Sequence, residues 1–167
     1  PLSIRKRVKG EGEGEGEGGV GIILSNELID AFPVHKVRYS NGRWNEVYIT
    51  LKEGKLVEVE DAPSSQILAD FLAIYLNPLL QGEGGFNSRI EDGYTTEVNL
   101  RAAEWIKEVG NALEKGFVIT IDYGYPRKEL YSPERNRGTL MCYHRHQAIE
   151  DTYINIGEQD MTTHVDF

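Results

Sequence analysis

Two uninterrupted apolar runs constrain this chain most: "VGIIL" (Val20 to Leu24) and "FVITI" (Phe117 to Ile121). Both are rich in β-branched residues and neither alternates with polar ones. A strand without alternation is one expected to be covered on both faces, as in a parallel sheet packed between layers. Each run stops abruptly at polar groups. Ser25-Asn26-Glu27 follows the first, with Asp30 just beyond, and Asp122-Tyr123-Gly124 follows the second. Helical material lies between the two runs. The expected fold class is therefore α/β, part of a doubly wound sheet, in which ligands bind at the carboxyl ends of the strands. Asn26, Glu27, Asp30, Asp122, Tyr123 and Gly124 occupy that position in the pattern.

The rest of the chain reads as a set of local signals. "VHKVRYS", "RWNEVYITL" and "KLVEVE" are three short strands separated by Asn41-Gly42 and by Lys52 to Gly54, a half-solvated β-meander. Pro63-Ser64-Ser65 opens a helix to about Leu80, with an apolar stripe of Ile67, Leu68, Phe71, Leu72, Tyr75, Leu76 and Leu79. Asn99 caps a second helix running to about Lys115, whose stripe is Ala102, Trp105, Ile106, Val109 and Leu113. Gly116 fits the end of that helix. "NELIDAF" suits a short helical turn, "YTTEV" a short extended piece, and "GTLMCY" and "MTTHVDF" two further strands.

Composition excludes several classes. The 167 residues suffice for one domain with one sizeable core. A formal net charge of -9 argues against a nucleic-acid binder, which needs clustered cations. Glu11, Glu13, Glu15 and Glu17 sit in "GEGEGEGEGG", a tract that buries no apolar area and reads as a flexible loop within an N-terminal segment, residues 1–19. Cys142 is the sole cysteine, so a reducing compartment is expected, a bacterial cytoplasm by default. No apolar run is long enough to span a bilayer, and "PLSIRKRVKG" has no apolar core of a signal peptide. The chain starts at Pro1 and stops within a strand-like pattern, as part of a longer protein would.

The polar strand ends carry the chemistry. Three residues apart, Glu27 and Asp30 share a face if they lie on one helical turn. Such a pair grips a cation, polarises a water or ligates a metal; the plainer alternative is that Asn26 caps the turn and the acids favour its positive end. Asp122 also suits a turn start. His144, His146 and His164, with Asp160 and Asp166, raise a metal site, but no HExxH or cysteine cluster accompanies them, so none is expected. Arg127, Lys128, Arg135, Arg137 and Arg145 form a basic segment suited to salt-bridged surface or to an anionic partner. No nucleophile elbow or P-loop is present.

"LSNELIDAFPVHKV", "GFVITIDYGYPRKELYSPERNRGTLMCYHRH" and "IGEQDMTTHVDF" together resemble the MidA family of S-adenosylmethionine-dependent methyltransferases, from about Gly21 to Phe167. Mitochondrial relatives of that family are arginine methyltransferases that assist assembly of respiratory complex I. The resemblance implies a partial class I, Rossmann-like methyltransferase sheet, with residues 20–167 as its C-terminal part and residues 34–93, the meander and first helix, as an insertion. The family's glycine-rich cofactor loop and its ribose-binding acid would lie upstream. S-adenosylmethionine is the implied cofactor, a protein arginine the implied acceptor, and a respiratory complex I subunit a candidate partner. A eukaryotic member would work in the mitochondrial matrix. Glu27 and Asp30 would clamp the guanidinium, Asn26 would orient it, and Asp122, Tyr123 and Gly124 would line the opposite wall. Gln159, Asp160 and His164 are expected near the same cleft, with His164 receiving the departing proton. A non-catalytic assembly module on the same fold, and a carboxylate or metal hydrolase, are the competing classes.

Overall fold

The computed structural model describes residues 19–80 and 90–167. The Gly-Glu tract and most of the glycine-rich loop after Leu80 lie outside the described residues. Chain order runs β1 (Gly19–Asn26), β2 (His35–Ser40), β3 (Arg43–Lys52), β4 (Lys55–Asp61), α1 (Gln66–Phe71), a π-helical stretch (Leu72–Leu76) and α2 (Asn77–Leu80). It continues through β5 (Thr95–Val98), α3 (Leu100–Ala112), β6 (Leu113–Ile121), β7 (Gly124–Tyr125), α4 (Arg127–Leu130), β8 (Met141–His144), β9 (Gln147–Ile149), β10 (Asp160–Thr162) and β11 (Val165–Asp166).

The two apolar runs do pair in parallel, as β1 and β6, in register from Val20 opposite Lys115 to Asn26 opposite Ile121. Their burial differs from expectation. Val20 is 76% exposed and Phe117 71%, and Ile22, Leu24, Ile119 and Ile121 are also exposed. A strand buried on both faces needs a neighbour on each edge and a layer on each side. Here the pair forms a two-stranded sheet, and Ile23 packs toward the cluster of Ile29, Trp105, Val109 and Val165 on one side. The second correction is at Gly116, which lies inside β6 rather than ending a helix; α3 stops at Ala112 and Leu113 is already extended. Gly116 is required there because its φ of 152° is unusual for other residues and a Cβ would overlap the carbonyl of Gly21 on β1.

The meander forms as the sequence implies. β2, β3 and β4 are antiparallel, and β5 adds to the free side of β2, giving the order β4-β3-β2-β5. Both hairpin turns place consecutive residues at positive φ, Asn41 and Gly42 (53° and 79°) and Glu53 and Gly54 (52° and 76°), the backbone that matches strand twist. The helix beginning at Gln66 is capped by Ser65, whose Oγ accepts from the Leu68 amide at 3.2 Å. It widens to π geometry just before Pro78, where the Asn77 amide reaches Leu72 O. Leu68, Leu72 and Leu76 are fully enclosed against Val37, Trp44 and Val98, whereas Ile67 and Tyr75 of the expected stripe face outward. In α3 Trp105 and Val109 are buried and Ile106 is exposed.

Candidate active site

β1 and β6 end at the same rim, because parallel strands in register deliver their carboxyl ends side by side. The Glu27 amide donates to Ile121 O at 2.8 Å, the last rung of the ladder. Glu27 then takes a φ of 46° and the chain bends. The expected helical turn is absent: residues 27 to 32 form bends and a turn, closed by the Phe32 amide on Ile29 O at 3.1 Å. Asn26 belongs to the strand and caps nothing. The bend, not a helix face, is what brings the acids together.

Asp30 is the innermost acid, 5% exposed, with its Oδ1 lacking any hydrogen-bond partner. Burial first, then the charges of Asp122, Glu27 and Asp160, raise its carboxyl above the ordinary range, against a lowering contribution from the Ala31 amide. Four carboxylates thus share one electrostatic neighbourhood. Their mutual repulsion is relieved by a cation or by a proton held on Asp30. Asn26 and Glu27 stand exposed at the edge of this rim.

Asp122 has a different task. Its Oδ2 accepts from the Leu28 and Ile29 amides at 3.2 and 2.9 Å, and its Oδ1 from the Tyr123 amide at 2.9 Å. It ties the end of β6 to the bend after β1 and so fixes where Glu27 and Asp30 stand. Gly124 is equally structural: it pairs with Val165 in the β7–β11 ladder, and a Cβ there would overlap the Val165 carbonyl. Tyr123 is exposed.

The last motif meets the rim through its backbone. The Thr163 amide donates to Asp30 O at 2.9 Å. One residue on, His164 turns its ring to Tyr125, 5.1 Å between centroids, with Nδ1 enclosed and unpartnered. Burial, then the Arg135 charge, lowers its pKa, so it is neutral near pH 7. It lines two adjoining cavities, whose walls do not include Glu27, Asp30 or Asp122. Asp160 is exposed and caps the Met161 amide at 3.1 Å, while Gln159 donates to Thr152 O at 2.9 Å. His144 lies in β8 and His146 in the β8–β9 turn, and no three His, Cys, Asp or Glu side chains gather as a metal cluster among the described residues. The basic segment is partly neutralised: Arg127 binds Asp166 at 2.7 Å and Arg137 faces Glu150 at 3.6 Å.

Sequence reasoning missed Glu97. This β5 carboxylate is 7% exposed and accepts from the Thr139 amide and hydroxyl at 2.8 and 3.2 Å, leaving Oε1 without a partner. Nothing local marks it, because a glutamate in "TTEV" reads as a solvated strand position until β5 joins β2 and the segment 133–164 closes over it.

Comparisons with known proteins identify the family and the fold. A family model described as "Putative S-adenosyl-L-methionine-dependent methyltransferase" matches residues 9–167. A Caenorhabditis elegans protein named "Protein arginine methyltransferase NDUFAF7 homolog, mitochondrial" is 27% identical over 155 residues, 89% of this chain and 32% of its own length. The Drosophila melanogaster protein of the same name is 25% identical over 150 residues, 89% of this chain and 31% of its own. The chain therefore spans about a third of these relatives. A crystal structure of a COG1565 superfamily member from Burkholderia thailandensis, bound to S-adenosyl-homocysteine, superposes with a TM-score of 0.77 at 31% identity, over 93% of this chain and 37% of that one. A native structure from the same organism gives 0.76 at 32%, over 90% and 37%. The described elements are thus part of a methyltransferase α/β fold, and the chain belongs to this family of S-adenosylmethionine-dependent methyltransferases.

Proposed function

We propose that the full-length protein transfers a methyl group from S-adenosylmethionine to an arginine side chain of a protein, with Glu27 and Asp30 holding the acceptor. The observation that carries this is the Asp30 carboxylate, enclosed at the shared end of β1 and β6, with Oδ1 unpartnered amid the charges of Glu27, Asp122 and Asp160. A buried acid with no partner invites a cation, and a guanidinium is cationic at every physiological pH. The negative charge of the rim also suits the positively charged, methyl-donating end of the cofactor, and the exposed Asn26 would orient the acceptor beside it. When bound, the cofactor supplies an electrophilic methyl carbon.

The protein's part is then positioning and charge. Carboxylates hydrogen-bonded to two guanidinium nitrogens align the third for in-line attack and concentrate electron density on it. With the cofactor bound, methyl transfer would leave the acceptor guanidinium with one proton to give up, which a residue of this chain must take. Asp30 would receive that proton; His164 lines cavities apart from Glu27 and Asp30 and does not join them. The names of the two relatives support arginine as acceptor and a mitochondrial location for a eukaryotic member. The MidA resemblance adds a respiratory complex I subunit as the partner, and residues 34–93 as an insertion between two strands of the sheet.

The test is mass spectrometry of proteins exposed to full-length enzyme and isotope-labelled S-adenosylmethionine. Label on arginine, lost in Asp30→Asn, is the expected result. Label on other residues alone removes the arginine clamp. No label and no binding of S-adenosyl-homocysteine would leave an assembly module on a methyltransferase fold.

A further inference from the structure

Asp30 stands on a bend with no helix or strand of its own to hold it, so something outside the bend must set where its carboxylate points. The Phe32 amide on Ile29 O closes the bend internally but does not fix it against the rest of the molecule. Asp122 ties its first part, at the Leu28 and Ile29 amides. The two peptides that flank Asp30 are held from elsewhere. The one before it, through Ile29 O, accepts from Asn99 Nδ2 at 3.0 Å. The one after it, through Asp30 O, accepts from the Thr163 amide at 2.9 Å. A peptide is planar, so fixing both planes fixes φ and ψ between them and with these the direction in which the Asp30 side chain leaves the backbone.

Asn99 does two things at once. Its Oδ1 accepts from the Ala102 amide at 2.9 Å and caps α3. Capping needs only that oxygen, which Ser or Asp supplies equally well. The amide adds a donor, and the donor goes to the bend. Ile29 O already has the Phe32 amide, so the Asn99 bond is not needed to satisfy the carbonyl; what it adds is an anchor. That anchor is rigid, because Asn99 opens α3 and directly follows Val98, which is fully buried and pairs with His35 of β2.

We propose that Asn99 is a positioning residue of the methyl-transfer site, whose Nδ2 holds the peptide before Asp30 and so fixes where that carboxylate points. The assignment rests on the reading in which Asp30 takes part in holding the acceptor. Without the bond the bend relaxes toward solvent, and Asp30 leaves its enclosure beside Glu27, Asp122 and Asp160.

Asn99→Ser separates the two tasks, since serine keeps the cap and is too short to reach Ile29 O; Asn99→Ala removes both. In full-length protein with labelled aspartate carboxyl carbons, the Asp30 midpoint should fall by about half a pH unit or more in both variants, as burial is lost. The melting temperature should fall only in Asn99→Ala. With S-adenosyl-homocysteine saturating, calorimetric affinity for N-acetylarginine amide should fall about fivefold or more in both, as preorganisation is lost. An unchanged midpoint in folded Asn99→Ser overturns the assignment, as does unchanged affinity where the wild type binds. Should Asn99→Ser not fold, the wild type decides: with nitrogen-labelled asparagine, one slowly exchanging side-chain amide should shift with the Asp30 midpoint, and its absence overturns the assignment. A wild type that ignores N-acetylarginine amide while the Asp30 midpoint still falls in Asn99→Ser removes the arginine reading and keeps the positioning role.

Discussion

The rim at the ends of β1 and β6 and the charged face of the meander use the same residue types to opposite effect. On the meander, Glu58 takes Lys36, Arg38 and Tyr153, and Glu46 takes His35 and the Ser64 amide at 2.7 and 2.5 Å. These carboxylates are satisfied within the fold and hold strands together. At the rim, Glu27 is exposed and Asp30 is enclosed beside three other acids with one oxygen unpartnered. The fold gains little from that arrangement and bears a repulsion for it. Unsatisfied charge held by a rigid scaffold is what a binding site requires, while paired charge is what a scaffold requires. Asp122 belongs to the scaffold side of this division although it sits at the rim.

Three substitutions break or sharpen the contrast. Glu27→Gln should lower kcat of the full-length enzyme by about 100-fold or more while leaving the melting temperature unchanged; a collapse in melting temperature would place Glu27 with the structural acids. Asp122→Ala should cost about 2 kcal/mol, read as a shifted denaturant midpoint, because three main-chain amides lose their acceptor. It should also lower turnover, through displacement of the Glu27–Asp30 bend. Unchanged stability would show that the bend holds itself. Glu58→Gln should have the smallest effect, about 1 kcal/mol, discounted for partial exposure. Burial pushes Glu58 up, but hydrogen bonds from Lys36, Tyr153 and Arg38 more than offset this and hold it at about 2 against an ordinary 4.5. The stability it contributes is therefore complete above about 4.5 and is lost as pH falls toward about 2. Thermal melts of wild type and variant should differ at pH 7 and converge at low pH, and a constant difference would assign the effect to packing instead.

Much of the scaffold was legible because its signals are local. Asn41-Gly42 specifies its turn, Ser65 and Asn99 cap their helices, and the absence of alternation marked β1 and β6 as partners in a parallel sheet. Local signals failed where a distant segment decides. Gly116 looks like a helix end because a glycine after a helical stripe commonly is one; it is needed because Gly21 approaches it from another strand. "NELIDAF" has helical spacing, yet two of its amides are claimed by Asp122, 94 and 93 residues away. Glu97 carried no signal at all.

The sequence by itself determined where the two core strands end and which acids follow them, because apolar runs and the polar residues that terminate them are properties of neighbours along the chain. Only the tertiary structure decided which acid does what. Asp122 became a brace, Asp30 an enclosed charge and Glu97 the floor of a cavity, since burial and hydrogen-bond partners are set by residues far away in sequence, and those two quantities decide whether a carboxylate is satisfied or free to bind.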